Sequence, residues 1–501
     1  MRDRSAPASP WLTVLWHPVP TRVGQRVRLF AGGADRQALS RLEPVFETEA
    51  GEPAGPLESP FLSRRPAWLS RAPRGGLLVL PDPEGTELLI DGRPALGPVE
   101  LGAEDLRTGA VLALGEQVAL LVHTRTSPPW SGAPHGLVGA SQALDELRQA
   151  LERLAPLAAP VLLRGESGAG KELVARAIHQ ASPRARAPLV CINLAAVPAT
   201  TAASALFGHA AGAFTGARAS HRGYFEQAEG GSLLLDEIGS TTPELQSTLL
   251  RVLETGEIQP VGDGPPHRVD VRIMAATDED LEAAMAEGRF RAPLYHRLSA
   301  STLRVPPLRE RRDDVARLLV HFLRQELEAL GRAERLAPAE PEHLAWLPAP
   351  LVAELVGRPW PGNVRELHNL ARFAAVQFAD AEQVDAGTVL TSGAADRAPV
   401  ARAPAKADRE DRPALDDQAL LAALRAHGFR IKATAQALGV SRTTLYALME
   451  RCPGLRKARD LGREELVHGL AECGGDLGVL AARLEVSPHG LKLRLKELAL
   501  R

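Results

Sequence analysis

Val161-Leu-Leu-Arg-Gly165-Glu166-Ser167-Gly168-Ala169-Gly170-Lys171-Glu172 decides how the middle of this 501-residue chain folds. An apolar run ends in a glycine-rich turn of the pattern G-x-x-x-x-G-K, and a helical stretch, KELVARAIHQ (171–180), follows at once. Strand, turn and helix in that order are the context a phosphate loop requires. Its glycines let backbone N–H groups curl around phosphate oxygens, and the helix N-terminus adds favourable partial charge. Lys171 is placed to reach the β and γ phosphates of a nucleotide. The bland alternative is a glycine-rich turn between a strand and a helix, and Glu172 stands where Ser or Thr commonly helps to hold magnesium.

Downstream, GGSLLL (230–235) ends in Asp236 and Glu237. On a buried strand the two carboxylates emerge at its C-terminal edge, where ligands bind in open α/β sheets. Asp236 suits magnesium, directly or through water, and Glu237 suits activation of an attacking water. An acidic pair that merely solvates a strand end is the alternative. VRIMAAT (271–277) is another short apolar run suited to a buried parallel strand. Residues 311–390 turn helical, with VARLLVHFLRQELEAL (315–330) and VRELHNLARFAAVQFA (364–379).

Ahead of this region, LTVLW (12–16), RVRLF (26–30), GLLVL (76–80), ELLI (87–90) and VALLVH (118–123) are short apolar runs among Gly, Pro and Asp clusters, which predicts a small β-sandwich. A Pro/Gly/Ser linker over 126–136 follows it. Residues 391–413 are rich in Ala, Pro and charge, which predicts a flexible tether. With 45% hydrophobic and 24% charged residues, disorder of the whole chain is excluded. Three cysteines without ligand spacing argue against a disulfide scaffold or a zinc site. No apolar run approaches the ~18 residues of a membrane span, and the N-terminus lacks a signal-peptide core, so a cytoplasmic protein is expected.

Over residues 137–375 the chain resembles the sigma-54-dependent enhancer-binding activators of the AAA+ ATPase class. GESGAGKE (165–172) matches that family's phosphate loop, Glu172 included. The most specific match is Gly212-Ala213-Phe214-Thr215-Gly216-Ala217, the family's sigma-factor-contacting loop, within FGHAAGAFTGA (207–217). An exposed Phe and Thr between small residues suit a tip that rises, falls and grips a partner. The resemblance implies that Asn193 couples nucleotide state to Glu237. It also implies that Arg291 and Arg297 reach a neighbouring subunit's nucleotide, and that Arg365 senses the γ-phosphate. Two departures bear on the hydrolysis rate: Asp278 stands where the family usually has Asn, and Pro293 where it usually has Asp. ATP and magnesium are the implied cofactors, and a homo-oligomeric ring, a hexamer, the implied assembly.

Residues 21–122 resemble a forkhead-associated domain, with Arg41, Ser63 and Arg64 as candidate phosphopeptide contacts and Asp91-Gly92-Arg93 as a further anchor. That family's histidine is replaced by Pro66 and its Asn-Gly by Asp91-Gly92, and a carboxylate beside a phosphopeptide is unfavourable. A phosphoprotein ligand and a degenerate sandwich kept for partner contact are the two readings.

ATAQALGVSRTTLY (433–446) is similar to a Fis-like helix-turn-helix. Gly439 supplies the turn and Ser441 caps the next helix, from whose first turn Arg442, Thr443 and Thr444 project, with Tyr446 beyond. Between 419 and 501, 14 basic residues face 8 acidic ones, a surplus of six in a chain of net charge −2. Such a concentration is the footprint of DNA binding. A shift of 46 residues lays a second copy on the first: Leu420 meets Leu466, Leu424 meets Leu470, Gly428 meets Gly474, Ala435 meets Ala481, Leu438 meets Leu484, Val440 meets Val486, Ser441 meets Ser487 and Leu445 meets Leu491. The second copy is either a DNA-contacting unit or a dimerisation bundle.

The expected architecture is thus multidomain: an N-terminal β-sandwich (11–125), an α/β AAA+ ATPase core (137–310), a helical lid (311–390), a linker (391–413), an all-α helix-turn-helix (414–455) and a second such repeat (462–498). The expected function is ATP-driven activation of transcription at promoters bound by sigma-54 RNA polymerase, with upstream promoter DNA as a second partner and the β domain gating assembly. The rivals are a DNA-binding regulator with a non-hydrolysing AAA+ scaffold and a remodeller of some other target. The repeat predicts a division of labour. Arg442→Ala should relax sequence preference by about 1–3 kcal/mol at one base position. Lys492→Ala should weaken binding equally on all sequences and flatten the salt dependence. Binding isotherms on specific and random duplexes at several salt concentrations check both, and an unchanged salt slope for Lys492→Ala removes the second repeat from the DNA interface.

Overall fold

The computed structural model describes residues 9–72, 75–213, 220–262, 265–337, 345–392 and 417–426, and beyond these 461–472 and scattered positions between 429 and 495. The N-terminal part consists of β1 (Ser9–Trp16), β2 (Arg26–Arg28), β3 (Arg36–Leu39), β4 (Phe46–Glu47), β5 (Pro53–Gly55), β6 (Ala67–Arg71), β7 (Leu77–Leu80), β8 (Leu88–Ile90), β9 (Arg93–Pro94), β10 (Val99–Leu101), a short helix α1 (Ala103–Thr108), β11 (Ala110–Leu114) and β12 (Val118–Arg125). The strands β5-β4-β2-β1-β12-β11 run side by side, antiparallel throughout, and β10-β7-β6-β3 form a second antiparallel sheet. All the expected strand runs are strands, and β1 begins two residues ahead of the expected boundary. The hairpin of β8 and β9 turns at Asp91 and Gly92, with φ of 45° and 76°. A two-residue turn needs positive φ at both positions, which Asp-Gly supplies.

The central part comprises α2 (Gln142–Leu154), β13 (Val161–Arg164), α3 (Lys171–Gln180), β14 (Leu189–Asn193), α4 (Ala199–Phe207), α5 (Tyr224–Gln227), β15 (Ser232–Asp236), α6 (Pro243–Thr255), the hairpin strands β16 (Glu257–Ile258) and β17 (His267–Arg268), β18 (Arg272–Thr277), α7 (Leu281–Ala286), α8 (Ala292–Leu298) and β19 (Thr302–Arg304). The strands form one parallel sheet of order β14-β15-β18-β13-β19. Alternate side chains feed two cores. Leu162, Leu233, Leu235, Ile273 and Ala275 pack on one face with residues of α4, α6, α7 and α8. Val161, Leu163, Leu234, Met274 and Ala276 pack on the other with α2 and α3. Both faces are covered, so these strands are continuous apolar runs rather than alternating ones.

The lid follows as α9 (Arg312–Ala329), α10 (Ala349–Gly357) and α11 (Asn363–Phe378), with α10 and α11 both packed on α9. Helices α9 and α10 also pack on the N-terminal strands, α9 on β1 and α10 on β1, β11 and β12. That contact explains why VALLVH shows no polar alternation. Helices α1 and α10 both pack on β12, and nearly the whole strand is buried.

A second unit, which also takes in the β8–β9 hairpin, carries α12 (Ala386–Ser392), α13 (Asp417–Ala426) and α14 (Arg463–Glu472). Residues 393–413 of the expected tether lie outside the described residues. Leu461, Leu466, Leu480, Ala481, Val486, Leu491 and Leu495 form a buried cluster with Leu484 packed against it. Five positions aligned by the repeat (Leu466, Ala481, Leu484, Val486 and Leu491) belong to it. No helix among the described residues is long and apolar enough to cross a membrane.

The expected linker, 126–136, has no helix or strand but is tied down at its root. Arg125 leaves β12 to bond the Asp145 carboxylate of α2 at 2.6 Å, both side chains 2% exposed. Arg148 takes the other carboxylate oxygen at 3.0 Å, and the Trp130 N–H donates to the first at 3.1 Å. Removing one partner of a buried ion pair costs about 3–5 kcal/mol, because the remaining charge stays buried and unpaired. Asp145→Ala should therefore cost about that much in urea unfolding followed by tryptophan fluorescence. A loss below about 1 kcal/mol, the scale of a surface pair, contradicts this account of the junction.

Candidate functional site

The loop after β13 is held by more than its own turn. Gly168 and Gly170 take φ of 72° and 106°, a region closed to most side chains. A Cβ on Gly165 would lie 2.7 Å from the Val305 carbonyl oxygen, and one on Gly168 would lie 2.4 Å from that of Gly362. The lid supplies the bonds. Val364 N–H donates to the Gly168 carbonyl at 3.0 Å, and Arg311 Nη2 to the Ala169 carbonyl at 2.9 Å. Arg309 grips Glu166 with both nitrogens at 2.7 and 2.5 Å, which holds that carboxyl below the usual range.

Asn363, fully buried with φ of 52°, is the hub. Its Nδ2 donates to Glu166 and to the Ser167 carbonyl at 3.1 Å each, and its Oδ1 accepts from Leu308 N–H at 2.8 Å. Arg365, two residues on, donates to Ser167 Oγ at 3.2 Å. Sequence reasoning singled out Arg365 but missed Arg309, Arg311 and Asn363. The available signal was an Asn after Gly in Trp-Pro-Gly-Asn, a residue type that tolerates left-handed backbone and bonds its neighbours locally.

Lys171 is buried at the start of α3, its Nζ donating to the Gly165 carbonyl at 2.9 Å. Asp236 and Glu237 end β15 as expected, and Asn193 ends β14 with its backbone directly opposite Asp236. Asp236 Oδ1 accepts from the Glu237 N–H at 3.1 Å. Burial pushes both carboxyls up, with Lys171 opposing. Glu237 is raised further by Asp278, which hydrogen-bonds it, and by Asp236. Glu237 itself takes φ of 56°, a conformation uncommon outside glycine and associated with functional sites. Asn193 Oδ1 accepts from the N–H groups of Ala195 and Ala196, so its amide oxygen is engaged in a local cap. Glu172 pairs with Arg176 at 2.6 Å on the exposed side of α3.

The two remaining arginines sit elsewhere, against α6. Arg291 opens α8, and its N–H donates to Gln246 Oε1 at 2.8 Å. Arg297 donates twice to the Leu253 carbonyl, at 3.1 and 3.0 Å. Pro293 lies in the first turn of α8, where its missing N–H has no intrahelical partner to lose. The local turn is thus preserved despite the departure.

Gly212 and Ala213 rise from a base where His209 pairs antiparallel with His221 and parallel with Val261. Phe214, Thr215, Gly216 and Ala217 lie outside the described residues, as do Ser441, Arg442, Thr443, Thr444 and Tyr446. In the N-terminal part, Arg41 N–H donates to the Ser63 carbonyl at 3.0 Å, and Ser63 Oγ accepts from Arg65 N–H at 3.0 Å. A small crevice there is lined by Ser40, Arg65, Asp82 and Thr86 among others, with Arg65 paired to Glu84, while Arg64 stays exposed.

Three family models match in order: the sigma-54 interaction domain over residues 137–304, the AAA+ ATPase lid domain over 309–395 and the Fis-family bacterial regulatory protein over 412–451. The DNA-binding transcriptional regulator NtrC of Escherichia coli strain K12 is 45% identical over 252 residues, covering 50% of this chain and 52% of that protein. The anaerobic nitric oxide reductase transcription regulator NorR of Aeromonas salmonicida is 44% identical over 307 residues, covering 59% of this chain and 58% of that one. The chain thus spans about half the length of the curated relatives it matches. The crystal structure of NtrX from Brucella abortus, 32% identical, overlaps 64% of this chain and 69% of its own at a TM-score of 0.45. The chain thus carries, in this order, regions matched by the sigma-54 interaction domain, the AAA+ ATPase lid domain and the Fis family of bacterial regulatory proteins.

Proposed function

We propose that this protein is a cytoplasmic, sequence-specific DNA-binding activator that hydrolyses ATP in an oligomeric ring to open promoters closed by sigma-54 RNA polymerase. One observation carries the reading. Lys171, Asp236 and Glu237 converge beside a glycine-rich loop inside the stretch that matches the sigma-54 interaction domain. Gly165, Glu166, Ser167, Gly168, Ala169 and Gly170 supply the loop, and Lys171 neutralises the β and γ phosphates. Glu237 orients and deprotonates water, Asn193 ties that carboxylate to nucleotide state, and Arg365 and Asp278 face the γ-phosphate. Arg291 and Arg297 act across a subunit boundary, where guanidinium offsets charge developing on the transferred group. Their seating on α6, away from the chain's own Lys171 loop, is consistent with a role in trans.

Magnesium fits the donor set. Asp236 offers a hard carboxylate oxygen beside the phosphate loop and would hold the ion, while Glu172 is occupied by Arg176. A bound ion would neutralise phosphate charge there. Gly212–Ala217 contact sigma factor, a hexamer is the assembly, and Ser441, Arg442, Thr443, Thr444 and Tyr446 read DNA. For the N-terminal sheets we favour a degenerate forkhead-associated-like sandwich. The Ser63 hydroxyl caps a turn, and Asp82 and Glu84 stand at the crevice where Arg41 and Arg64 were candidates for a phosphoprotein ligand.

Two measurements test the reading. Glu237→Gln should keep ATP binding near normal while turnover falls about 100-fold or more, the scale of losing a positioned base. Thr215→Ala should leave turnover within a few-fold and abolish open complexes. Unchanged turnover in the first, or parallel loss of both activities in the second, contradicts the assigned roles.

The pH dependence of turnover tests the electrostatics of the site. Burial first and Asp278 next hold the Glu237 carboxyl above the usual range, and the base must be ionised to act. Hydrolysis therefore falls as pH drops through that raised value. Asp278→Asn removes a neighbouring negative charge, so the acid limb of the pH–rate profile should move to lower pH. An acid limb that stays in place shows that the pair does not set it.

A further inference from the structure

The N-terminal strands touch both the ATPase core and its lid, which also meet each other directly at the glycine-rich loop. On the core side, Arg125 at the end of β12 holds Asp145 of α2, and α2 packs into the ATPase core through Leu144, Leu147 and Leu151. On the lid side, the contacts come from one stretch at the start of α9. Arg312 Nη1 donates to the Gly109 carbonyl at 2.6 Å while its Nε holds the Val356 carbonyl of α10 at 3.1 Å. Arg317, 10% exposed, donates to the Gly24 carbonyl at 2.6 Å and pairs with Glu49. Between them Asp314, fully buried, accepts from Ala140 N–H and Ser141 N–H at 2.7 and 2.9 Å and from the Ser141 hydroxyl at 2.6 Å, which fastens α9 to the start of α2.

The same stretch begins with the residues that grip the phosphate loop, Arg309 on Glu166 and Arg311 on the Ala169 carbonyl. Within nine residues of chain, side chains thus reach the phosphate loop, the linker root and the β strands. If the lid swings away from the core, Arg309 and Arg311 let go of the loop. With β12 bonded to α2 through Arg125, and β1, β11 and β12 packed on α9 and α10, that swing also breaks bonds from guanidinium to carbonyl and carboxylate, which are stronger than neutral ones.

We propose that the N-terminal β unit is a brace across the joint between the ATPase core and its lid, and that while docked it slows release of bound nucleotide by resisting lid opening. The inference rests on the reading that the loop binds nucleotide, and it makes the β unit a control on nucleotide exchange. Because coupling between sites is reciprocal, any ligand that detaches the brace speeds exchange, and nucleotide loss favours detachment.

The test is stopped-flow release of a fluorescent ADP from the full chain, with hydrogen exchange over Ala349–Gly357 as the measure of docking. Arg312→Ala/Arg317→Ala should release ADP about tenfold faster or more, with faster exchange along that helix. Arg317→Lys keeps charge opposite Glu49 but lacks the guanidinium fork; it should fall between parent and double variant, and it decides the matter if the double variant does not fold. Faster exchange with unchanged ADP release overturns the brace, and so does no change in either quantity. A parent chain that binds no ADP at all marks failure of the nucleotide reading itself, and the brace falls with it.

Discussion

The backbone of the phosphate loop can serve a nucleotide only if its N–H groups keep one arrangement, and in this protein the lid holds that arrangement. The Gly168 and Ala169 carbonyls are taken by Val364 N–H and Arg311. Asn363 secures the Ser167 carbonyl from a buried, left-handed position that few residues tolerate. Gly165 and Gly168 leave no room for a side chain against Val305 and Gly362. Loop shape and lid position are therefore one variable, and whatever moves the lid changes the grip on phosphate.

Charge at the site follows from the same closure. Partial burial raises Asp236 and Glu237, and Lys171 is the cation that offsets it. Asp278 works against Lys171 by adding a carboxylate next to Glu237. A bound triphosphate would bring more negative charge to the same few ångströms, which on the proposed reading magnesium and the arginines of a neighbouring subunit would offset. Asp278 thus acts on the charge of Glu237, while the bonds that hold the glycine-rich loop do not involve it.

Local rules carried much of this fold into the sequence. The apolar runs ending in Gly165 and Asp236 are buried parallel strands whose alternate side chains feed two cores, and the loop between β13 and α3 has the conformation its glycines require. Non-local contacts were less legible. Arg309 and Arg311 lie about 140 residues from the loop they hold, as the separations of 143 and 142 positions record, and no local pattern announces such a bond. VALLVH carried a readable signal, because a strand without polar alternation needs cover on both faces, but only the packed structure identifies α10 as that cover. Asp91-Gly92, an anchor of the forkhead-associated resemblance, has the local chemistry of a two-residue hairpin turn and forms one. The expected sigma-contacting tip and recognition helix are readings of the sequence alone, since Phe214–Ala217 and Ser441–Tyr446 lie outside the described residues.

The central claim is that hydrolysis, rather than binding, opens the promoter. Its most direct test is the yield of heparin-resistant open complexes from sigma-54 holoenzyme on a supercoiled promoter carrying an upstream site for this protein. Full-length chain with ATP is compared with the same chain and a non-hydrolysable analogue. Open complexes that accumulate with ATP and stay at background with the analogue are the predicted result. Equal yields with both nucleotides, or no open complexes while ATP is consumed at its full rate, would contradict it.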